Sequence, residues 1–278
     1  MKKKIIAISL VACMLCFGAL ALSACGSSSS SKASSSASAS SSSAASSSAS
    51  AAAPANNTLI VGFDQAYPPY GYKDTNTGEF TGVDLDLAQE VCKRNGWEYK
   101  AEPIDWDAKD ALINQGNITC IWNGFTYEGR ENDYSFSAQY MINGQVIVTK
   151  EGSGINTLAD LKDKTVMTQV DSAALEVLDE DKKDLQNTFK GGKVQTISDF
   201  NNAFMQLESG TVDAVACDLS IAQYQMAAKK GIYKQLDEQL SSEHYAVGFK
   251  KGETALAAQV TKTLKDMYAD GTAKTICD

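Results

Sequence analysis

The hydrophobic pattern of this chain begins with one long apolar run, breaks off, and then changes to short alternating segments. Residues 5–22 are almost wholly apolar and follow three lysines. Residues 26–55 are almost entirely serine and alanine, so they lack side chains large enough to build a core. From Thr58 onward, apolar stretches of strand length alternate with stretches of helical spacing. The pattern predicts a leader, a flexible linker and a folded region.

The alternation within the folded region predicts two copies of an α/β unit with a parallel-rich sheet. Strands are expected at 58–64, 97–104 and 118–123 in the first unit, with a hairpin within 70–81 and helices at 83–94 and 107–115. Strands are expected at 166, 194 and 212–217 in the second unit, with helices at 173–178, 199–209 and 221–230. The tail adds a strand from 245 and a helix at 254–268. An extended segment at 140–149 joins the units, so we expect two lobes with a cleft between them.

Net charge narrows the class of partner, and cysteine spacing indicates whether the chain has a disulfide framework. The formal net charge is −9, and removal of the three leader lysines makes it more negative. This argues against nucleic acid and against adsorption to anionic lipid. Cys92, Cys120, Cys217 and Cys277 are unclustered, which is not typical of a disulfide framework, although one pair remains an open alternative. The sequence has no metal-ligand or cofactor motif, so we expect no cofactor.

The leader ends in a motif that predicts where the protein resides. Cys25 follows Leu22-Ser23-Ala24, and this resembles the lipobox of bacterial lipoproteins. The resemblance implies a signal peptide at 1–24 and a lipidated Cys25 that begins a linker at 25–56. The folded region would then be tethered to the extracytoplasmic face of the cell membrane. A plain transmembrane anchor is the alternative, because about eighteen apolar residues nearly span a bilayer.

Polar residues stand where several predicted strands end. They are Asp64, the pair Asn123-Gly124, Gln169 and Asp218. In open α/β sheets, ligands bind beyond the carboxyl ends of the strands. The sequence therefore predicts a binding site in the cleft.

Four stretches carry a resemblance to a known family. They are VGFDQAYPPY at 61–70, FTGVDLDLA at 80–88, IWNGFT at 121–126 with Arg130, and VDAVACD at 212–218. In this order and spacing they resemble the extracellular solute-binding proteins, family 3 type, of bacterial polar amino-acid ABC transporters. The resemblance implies a type II periplasmic-binding-protein fold. Lobe 1 would comprise 57–142 and 244–278, lobe 2 would comprise 143–243, and two hinge strands would join them.

The same resemblance implies a function and its partners. The chain is expected to be a monomer that captures a polar amino acid, of the glutamine, cystine or basic type, by lobe closure. It would then deliver the ligand to an ABC transporter permease.

Two charged residues match the carboxylate and the ammonium of an α-amino acid. The planar fork of Arg130 matches a carboxylate, and Arg130 and Arg94 are the only arginines in the chain. The alternative is a surface arginine that pairs with Glu131 or Asp133. Asp218 stands where the family places the aspartate that binds the ligand ammonium, and a helix-capping aspartate is the alternative.

The resemblance assigns the other ligand contacts to Asp64, Tyr67, Trp106, Asn123, Gly124, Thr126, Gln169 and Ser172. The two aromatic residues would form walls around the ligand side chain, although burial in a core would also explain them. Gly124 and Thr126 would offer backbone and hydroxyl contacts. Ser172 lies in Asp171-Ser172-Ala173, where a glycine-rich turn is common, and this departure puts a close backbone approach in doubt.

Two rival functions remain possible from the sequence. An exported dehydratase-like enzyme on the same fold would need a positioned general acid or base. His244 is the only histidine, and it falls in the second predicted hinge strand, which favours a structural role. A ligand-sensing domain of a receptor kinase would need a transmembrane helix and a signalling region after the second unit, and we expect neither.

Overall fold

The computed structural model describes residues 52–278. The leader, Cys25 and most of the linker lie outside the described residues, so lipidation and export stay predictions. Within residues 52–278, no helix is long and apolar enough to cross a membrane.

The first stretch of the chain alternates strands and helices as the pattern predicts. Its elements are β1 (Thr58–Phe63), β2 (Ala66–Tyr67), β3 (Gly71–Lys73), β4 (Phe80–Thr81), α1 (Val83–Asn95), β5 (Glu98–Pro103), α2 (Lys109–Gln115), β6 (Cys120–Ile121) and β7 (Tyr134–Phe136). A 3-10 turn at Trp106–Ala108 precedes α2.

The second stretch repeats the alternation. Its elements are β8 (Met141–Lys150), β9 (Val166–Gln169), α3 (Ala173–Asp179), α4 (Lys183–Gln186), β10 (Gln195–Ile197), α5 (Phe200–Ser209), β11 (Ala214–Asp218), α6 (Leu219–Ala228), β12 (Tyr233–Gln235) and β13 (Ser241–Tyr245). The chain then returns to the first lobe with β14 (Gly248–Lys250), α7 (Thr254–Ala269) and α8 (Thr272–Cys277).

Each lobe is built on its own sheet. The first sheet has the order β5-β1-β6-β14-β7, and the second has the order β10-β9-β11-β8-β12 with β13 also paired to β8. β1 runs parallel to β5 and β6, and β9 runs parallel to β10 and β11, while β8 and β14 pair antiparallel to their neighbours. The two-lobed α/β class predicted from the sequence is confirmed.

Helix α1 shows how the sequence fixes an element that covers the first sheet. Gly96 closes the helix in the left-handed region, with φ of 68°, which glycine adopts readily. Asp84 and Asp86 lie in the first turn, and Lys93 and Arg94 lie in the last turn. These charges interact favourably with the helix dipole and stabilise the helix. The apolar face of the helix is buried in the larger core, which also includes residues of β1.

Two paired strands cross between the lobes. β8 and β13 run antiparallel, with Met141 opposite Tyr245 and Gln145 opposite Ser241. The lobe boundaries predicted at 142–143 and 243–244 therefore fall within a hydrogen-bonded ladder. Two extended strands provide the covalent passage between lobes that a hinge requires.

Some predicted elements differ from the structure in length. The strand expected at 118–123 is regular at Cys120–Ile121, after which the chain bends and reaches Gly124 in the left-handed region, with φ of 56°. The helix expected at 107–115 begins as the 3-10 turn. The sequence patterns missed β7, β12, α4 and α8, which are short and have weak periodicity. Cys92, Cys120, Cys217 and Cys277 are unpaired within the described part of the chain.

Candidate functional site

A small cavity, of about 10 Å³ in this structure, lies between the two lobes. It is lined by Tyr67, Trp106, Gly124, Thr126, Arg130, Gln169, Ser172, Ala173, Phe200 and Asp218. Most of these residues follow strand ends in one lobe or the other. The structure therefore brings together most of the residues that the sequence predicts for the site.

Arg130 contributes a cation from lobe 1 to the cavity lining. Its Nη1 donates to the carbonyl of Thr126 at 3.3 Å, and its Nη2 lies 3.0 Å from Glu176 Oε2 on α3 of the opposite lobe. The guanidinium also lies 5.1 Å from the ring centre of Phe125. A guanidinium has five N–H donors, so donors remain for a ligand carboxylate. The alternative of a surface arginine paired with Glu131 or Asp133 does not hold, because Arg130 is buried and its ion pair is with Glu176 across the cleft.

Asp218 contributes an anion from lobe 2. It precedes α6, but its side chain makes no capping hydrogen bond. Instead its Oδ1 accepts hydrogen bonds from Asn143 Nδ2 at 2.9 Å, Gln145 Nε2 at 2.8 Å and the hydroxyl of Tyr245 at 2.8 Å. All three of these donors bond to Oδ1, and the hydroxyl of Tyr67 also interacts with the Asp218 carboxyl group. Burial raises the pKa of Asp218.

Aromatic side chains form the walls of the cavity. Tyr67 is buried, and its ring lies 6.0 Å from that of Phe200, the first residue of α5. Trp106 packs edge-on against Phe125 and donates its indole N–H to the carbonyl of Asp171 at 3.1 Å. Trp106 therefore links the lobes as well as lining the cavity. Phe200 is a wall residue that the sequence reasoning missed.

Asp64 and Asn123 lie behind the cavity lining. Asn123 Oδ1 accepts a hydrogen bond from the backbone N–H of Asp64 at 3.1 Å. Gln169 Nε2, from the other lobe, donates to Asp64 Oδ2 at 2.6 Å. Burial raises the pKa of Asp64. In this structure Asn123 thus orients Asp64, and Gln169 occupies the Asp64 oxygen that a ligand side chain would bond.

The backbone of Gly124 is held by a buried carboxylate. Its N–H donates to Asp84 Oδ2 at 2.5 Å, and the hydroxyl of Tyr140 donates to the same oxygen at 2.8 Å. Burial raises the pKa of Asp84 to about 7. Gly124 therefore shapes the cavity wall, and its N–H is committed to Asp84 in this structure. A Cβ at Gly124 would meet the rings of Tyr67 and Tyr245 at 3.0 Å.

In the turn before α3, Asp171 adopts a backbone conformation that is typical of glycine. Asp171 has a φ of 57°, which aspartate tolerates better than most residues. Its carboxylate forms an ion pair with buried Lys109 of lobe 1. Ser172 caps α3 by accepting the N–H of Leu175 at 3.2 Å, and its hydroxyl donates to the carbonyl of Gln169 at 2.8 Å. The hydroxyl of Ser172 thus supports the helix that carries Glu176.

A second buried carboxylate lies beside Asp218, and no strand-end pattern marks it. Glu243 Oε1 accepts the hydroxyl of Thr126 at 3.0 Å and the amides of Asn143 and Gln145, each at 2.8 Å. These residues lie on hinge strands and on the segment after β6. They are distant in sequence, so the pairing of β8 with β13 is what places them together.

The fold and the cleft define a two-lobed binding protein with oppositely charged residues lining an interlobe cavity. The family model for bacterial extracellular solute-binding proteins, family 3, matches residues 59–278. The chain belongs to this family.

Individual relatives agree with this assignment. The chain is 29% identical over 220 residues to L-cystine-binding protein TcyA of Bacillus subtilis, covering 78% of this chain and 79% of that protein. It is 28% identical over 221 residues to the ABC transporter glutamine-binding protein GlnH of Bacillus subtilis, covering 78% of each.

A solved structure shows the same likeness in three dimensions. The substrate-binding protein of an ABC uptake transporter from Streptococcus pneumoniae with bound histidine aligns with a TM-score of 0.77 and 32% identity. The alignment covers 80% of this chain and 91% of that chain. These relatives are binding proteins rather than enzymes.

Proposed function

We propose that this chain is the extracytoplasmic receptor of an amino-acid ABC transporter, which captures one free amino acid between its lobes and delivers it to a permease. The observation that carries the proposal is the interlobe cavity lined by the cation Arg130 from lobe 1 and the carboxyl group of Asp218 from lobe 2. An α-amino acid has a carboxylate and an ammonium, and these two groups match that polarity. The aromatic walls, Tyr67 and Trp106, would enclose the side chain.

The ligand class we propose is a polar amino acid of the glutamine, cystine or basic type. Asp64 supports this class, because its buried carboxylate bonds to the cavity-lining Gln169 and favours a side chain that donates hydrogen bonds or carries positive charge. The relatives TcyA and GlnH are named for binding cystine and glutamine. A ligand donor would replace the Gln169 amide at Asp64.

Closure of the lobes is the proposed mechanism of capture. Lobe 1 supplies Arg130, Tyr67 and Trp106, while lobe 2 supplies Asp218 and Ser172. A ligand that contacts both sets binds the closed form preferentially, and this differential affinity shifts the population toward it. Small-angle scattering should show a smaller radius of gyration at saturation with ligand. An unchanged curve for a protein that is open beforehand would leave a preformed pocket in place of the clamp.

Isothermal titration calorimetry at pH 8 against the twenty protein amino acids, cystine and ornithine tests the proposed function. We expect one or a few polar amino acids to bind, with a stoichiometry of one per chain. Absence of binding across this panel would overturn the proposal.

The location of the receptor is also part of the proposal. The leader and Cys25 support a lipoprotein held at the extracytoplasmic face of the membrane as a monomer, with the serine- and alanine-rich linker as a tether. Replacement Cys25→Ser should abolish lipid attachment, which mass spectrometry of the purified protein measures. The same lipid mass on the variant would refute the anchor.

A further inference from the structure

The hinge holds a pair of carboxyl groups, and the proposed function accounts for one of them. Asp218 and Glu243 are 4% and 2% exposed. Asn143 Nδ2 and Gln145 Nε2 each donate to both Asp218 Oδ1 and Glu243 Oε1, at distances of 2.8 to 2.9 Å. A primary amide has two N–H donors, so each amide can bridge the two carboxylates. The bridge fixes the relative position of the pair.

This pair has no cationic partner. Among the ion pairs of residues 52–278, none involves Asp218 or Glu243. Burial first, and the Asp218 charge second, raise the pKa of Glu243 to about 7. Burial also raises the pKa of Asp218, but an aspartate is intrinsically the stronger acid. Both carboxyl groups gain protons at a higher pH than an exposed carboxylate would.

Other ionisable groups surround Glu243. Tyr67 and Tyr245 face the pair from the cavity side, and burial raises the pKa of both well above the usual value. A more open acidic cavity on the other side is lined by Glu243 together with Glu128, Glu176, Glu180 and Asp181. His244 follows Glu243, and its Nδ1 lies 2.7 Å from Glu128 Oε1. The carboxylates among these neighbours add to the negative charge around the hinge.

Thr126 connects Glu243 to the ligand cavity. Its hydroxyl donates to Glu243 Oε1 at 3.0 Å, and the residue also lines the cavity. While Glu243 is ionised, the hydroxyl proton points to Oε1, and the oxygen lone pairs are available as acceptors. When Glu243 is protonated, the hydroxyl is released from this role and can turn its proton toward the cavity.

We propose that Glu243 is a positioning residue of the amino-acid site, which holds Asp218 and the Thr126 hydroxyl as acceptors for the ligand ammonium and makes binding weaken as the pH falls. The proposal rests on the proposed function, since it needs an ammonium at Asp218. A bound ammonium favours the ionised form of Glu243 and lowers its pKa. Binding below neutral pH therefore releases a proton, and affinity decreases as the pH drops from 8 to 5.5.

Calorimetric titration at pH 8 and pH 5.5 tests this inference with L-glutamine, L-arginine and L-cystine as probes. The side chains of glutamine and arginine do not titrate between the two values. Cystine is compared from pH 7 instead, because its second amino group titrates near pH 8. The tightest-binding probe should bind about tenfold more weakly at pH 5.5, which corresponds to a pKa of Glu243 lowered by about one unit in the complex. Titration at pH 6.5 in two buffers of different ionisation enthalpy should show proton release on binding, and this readout needs no variant.

The variant Glu243→Gln keeps the shape of the side chain and removes its charge. It should bind about tenfold more weakly than the unmodified protein at pH 8, and its affinity should change less than twofold down to pH 5.5. The matched control Glu128→Gln removes another hinge carboxylate and the partner of His244, and it should keep the original affinity and pH profile.

The outcomes separate this inference from the proposed function. If none of the probes binds at pH 8, the proposed ligand class fails and the inference fails with it. If a probe binds equally at both pH values without proton release, the inference alone is overturned. The inference is also overturned if the pH dependence persists in Glu243→Gln, which would assign it to Asp218, or disappears in Glu128→Gln, which would assign it to His244.

Discussion

The surroundings of Arg130 and of Asp218 in the cavity lining, called the Arg130 end and the Asp218 end, differ in how buried charge is balanced. At the Arg130 end, the guanidinium pairs with Glu176, and nearby Lys109 pairs with Asp171, so each cation has an anion from the opposite lobe. At the Asp218 end, two carboxylates share amide donors and no cation faces them within residues 52–278. One end is balanced before the ligand arrives, whereas the other end lacks a positive charge.

This difference suggests separate roles for the two ends: the Arg130 end helps to hold the lobes together, and the Asp218 end binds the ligand ammonium. The balanced end ties the lobes together through pairs that are partly exposed, since Glu176 and Asp171 have side-chain exposures of 35% and 46%. Such pairs are weak and screened by salt. The unbalanced end is desolvated, so an ammonium placed there gains more from each contact. We therefore expect most of the affinity to depend on Asp218.

The largest expected effect comes from Asp218→Asn. Removal of one member of a buried, hydrogen-bonded charge pair costs about 2–5 kcal/mol, so binding should weaken by about 300-fold. The unfolding temperature should not fall, because the variant removes a buried charge that lacks a partner in the free protein. Calorimetry and thermal unfolding at pH 8 measure the two quantities. Affinity close to that of the unmodified protein would place the ammonium elsewhere.

A smaller effect is expected at the balanced end from Arg130→Lys. Lysine keeps the charge but loses the planar fork that binds a carboxylate through two hydrogen bonds. Binding should weaken by about 30-fold, and Arg130→Ala should be at least as severe. Both variants can be compared by calorimetry at fixed ionic strength. Full affinity in the lysine variant would show that charge alone is needed at this position.

The smallest effect is expected from Glu176→Gln. A partly exposed ion pair contributes about 1 kcal/mol or less, so the dissociation constant should change by about fivefold or less. Glu176→Gln should have no further effect in an Arg130→Ala background, because the pair is then already broken. A loss comparable to that of Asp218→Asn would mean that the balanced end also carries recognition.

Many residues of the cavity lining could be predicted from the sequence, because the sequence shows where apolar strands end. Gly124, Gln169 and Asp218 each follow a short apolar run, and the sheet topology brings such ends to the cleft. Arg130 could be singled out by its chemistry among many lysines. The prediction that Gly124 and Thr126 offer backbone and hydroxyl contacts to a ligand stays untested. In this structure the Gly124 N–H bonds to Asp84 and the Thr126 hydroxyl bonds to Glu243.

The partners of these residues could not be predicted in the same way. Glu176 and Asp171 face Arg130 and Lys109 across the cleft, and no local pattern relates residues of separate lobes. Phe200 lies in the helix predicted at 199–209, and only the tertiary structure shows that this residue lines the cavity. Trp122 follows β6, and the structure buries it completely beside Tyr140 and outside the cavity lining.

By itself, the sequence determined the class of fold, the order of strands and helices, and the residue types at the strand ends, because hydrophobic periodicity and turn residues act locally. The tertiary structure alone decided which charges are balanced. Asn143 and Gln145 come to lie beside Glu243 through the antiparallel register of β8 and β13, strands about a hundred residues apart. Burial and shared donors are properties of that register, and they turn two ordinary carboxylates into a pair suited to an ammonium.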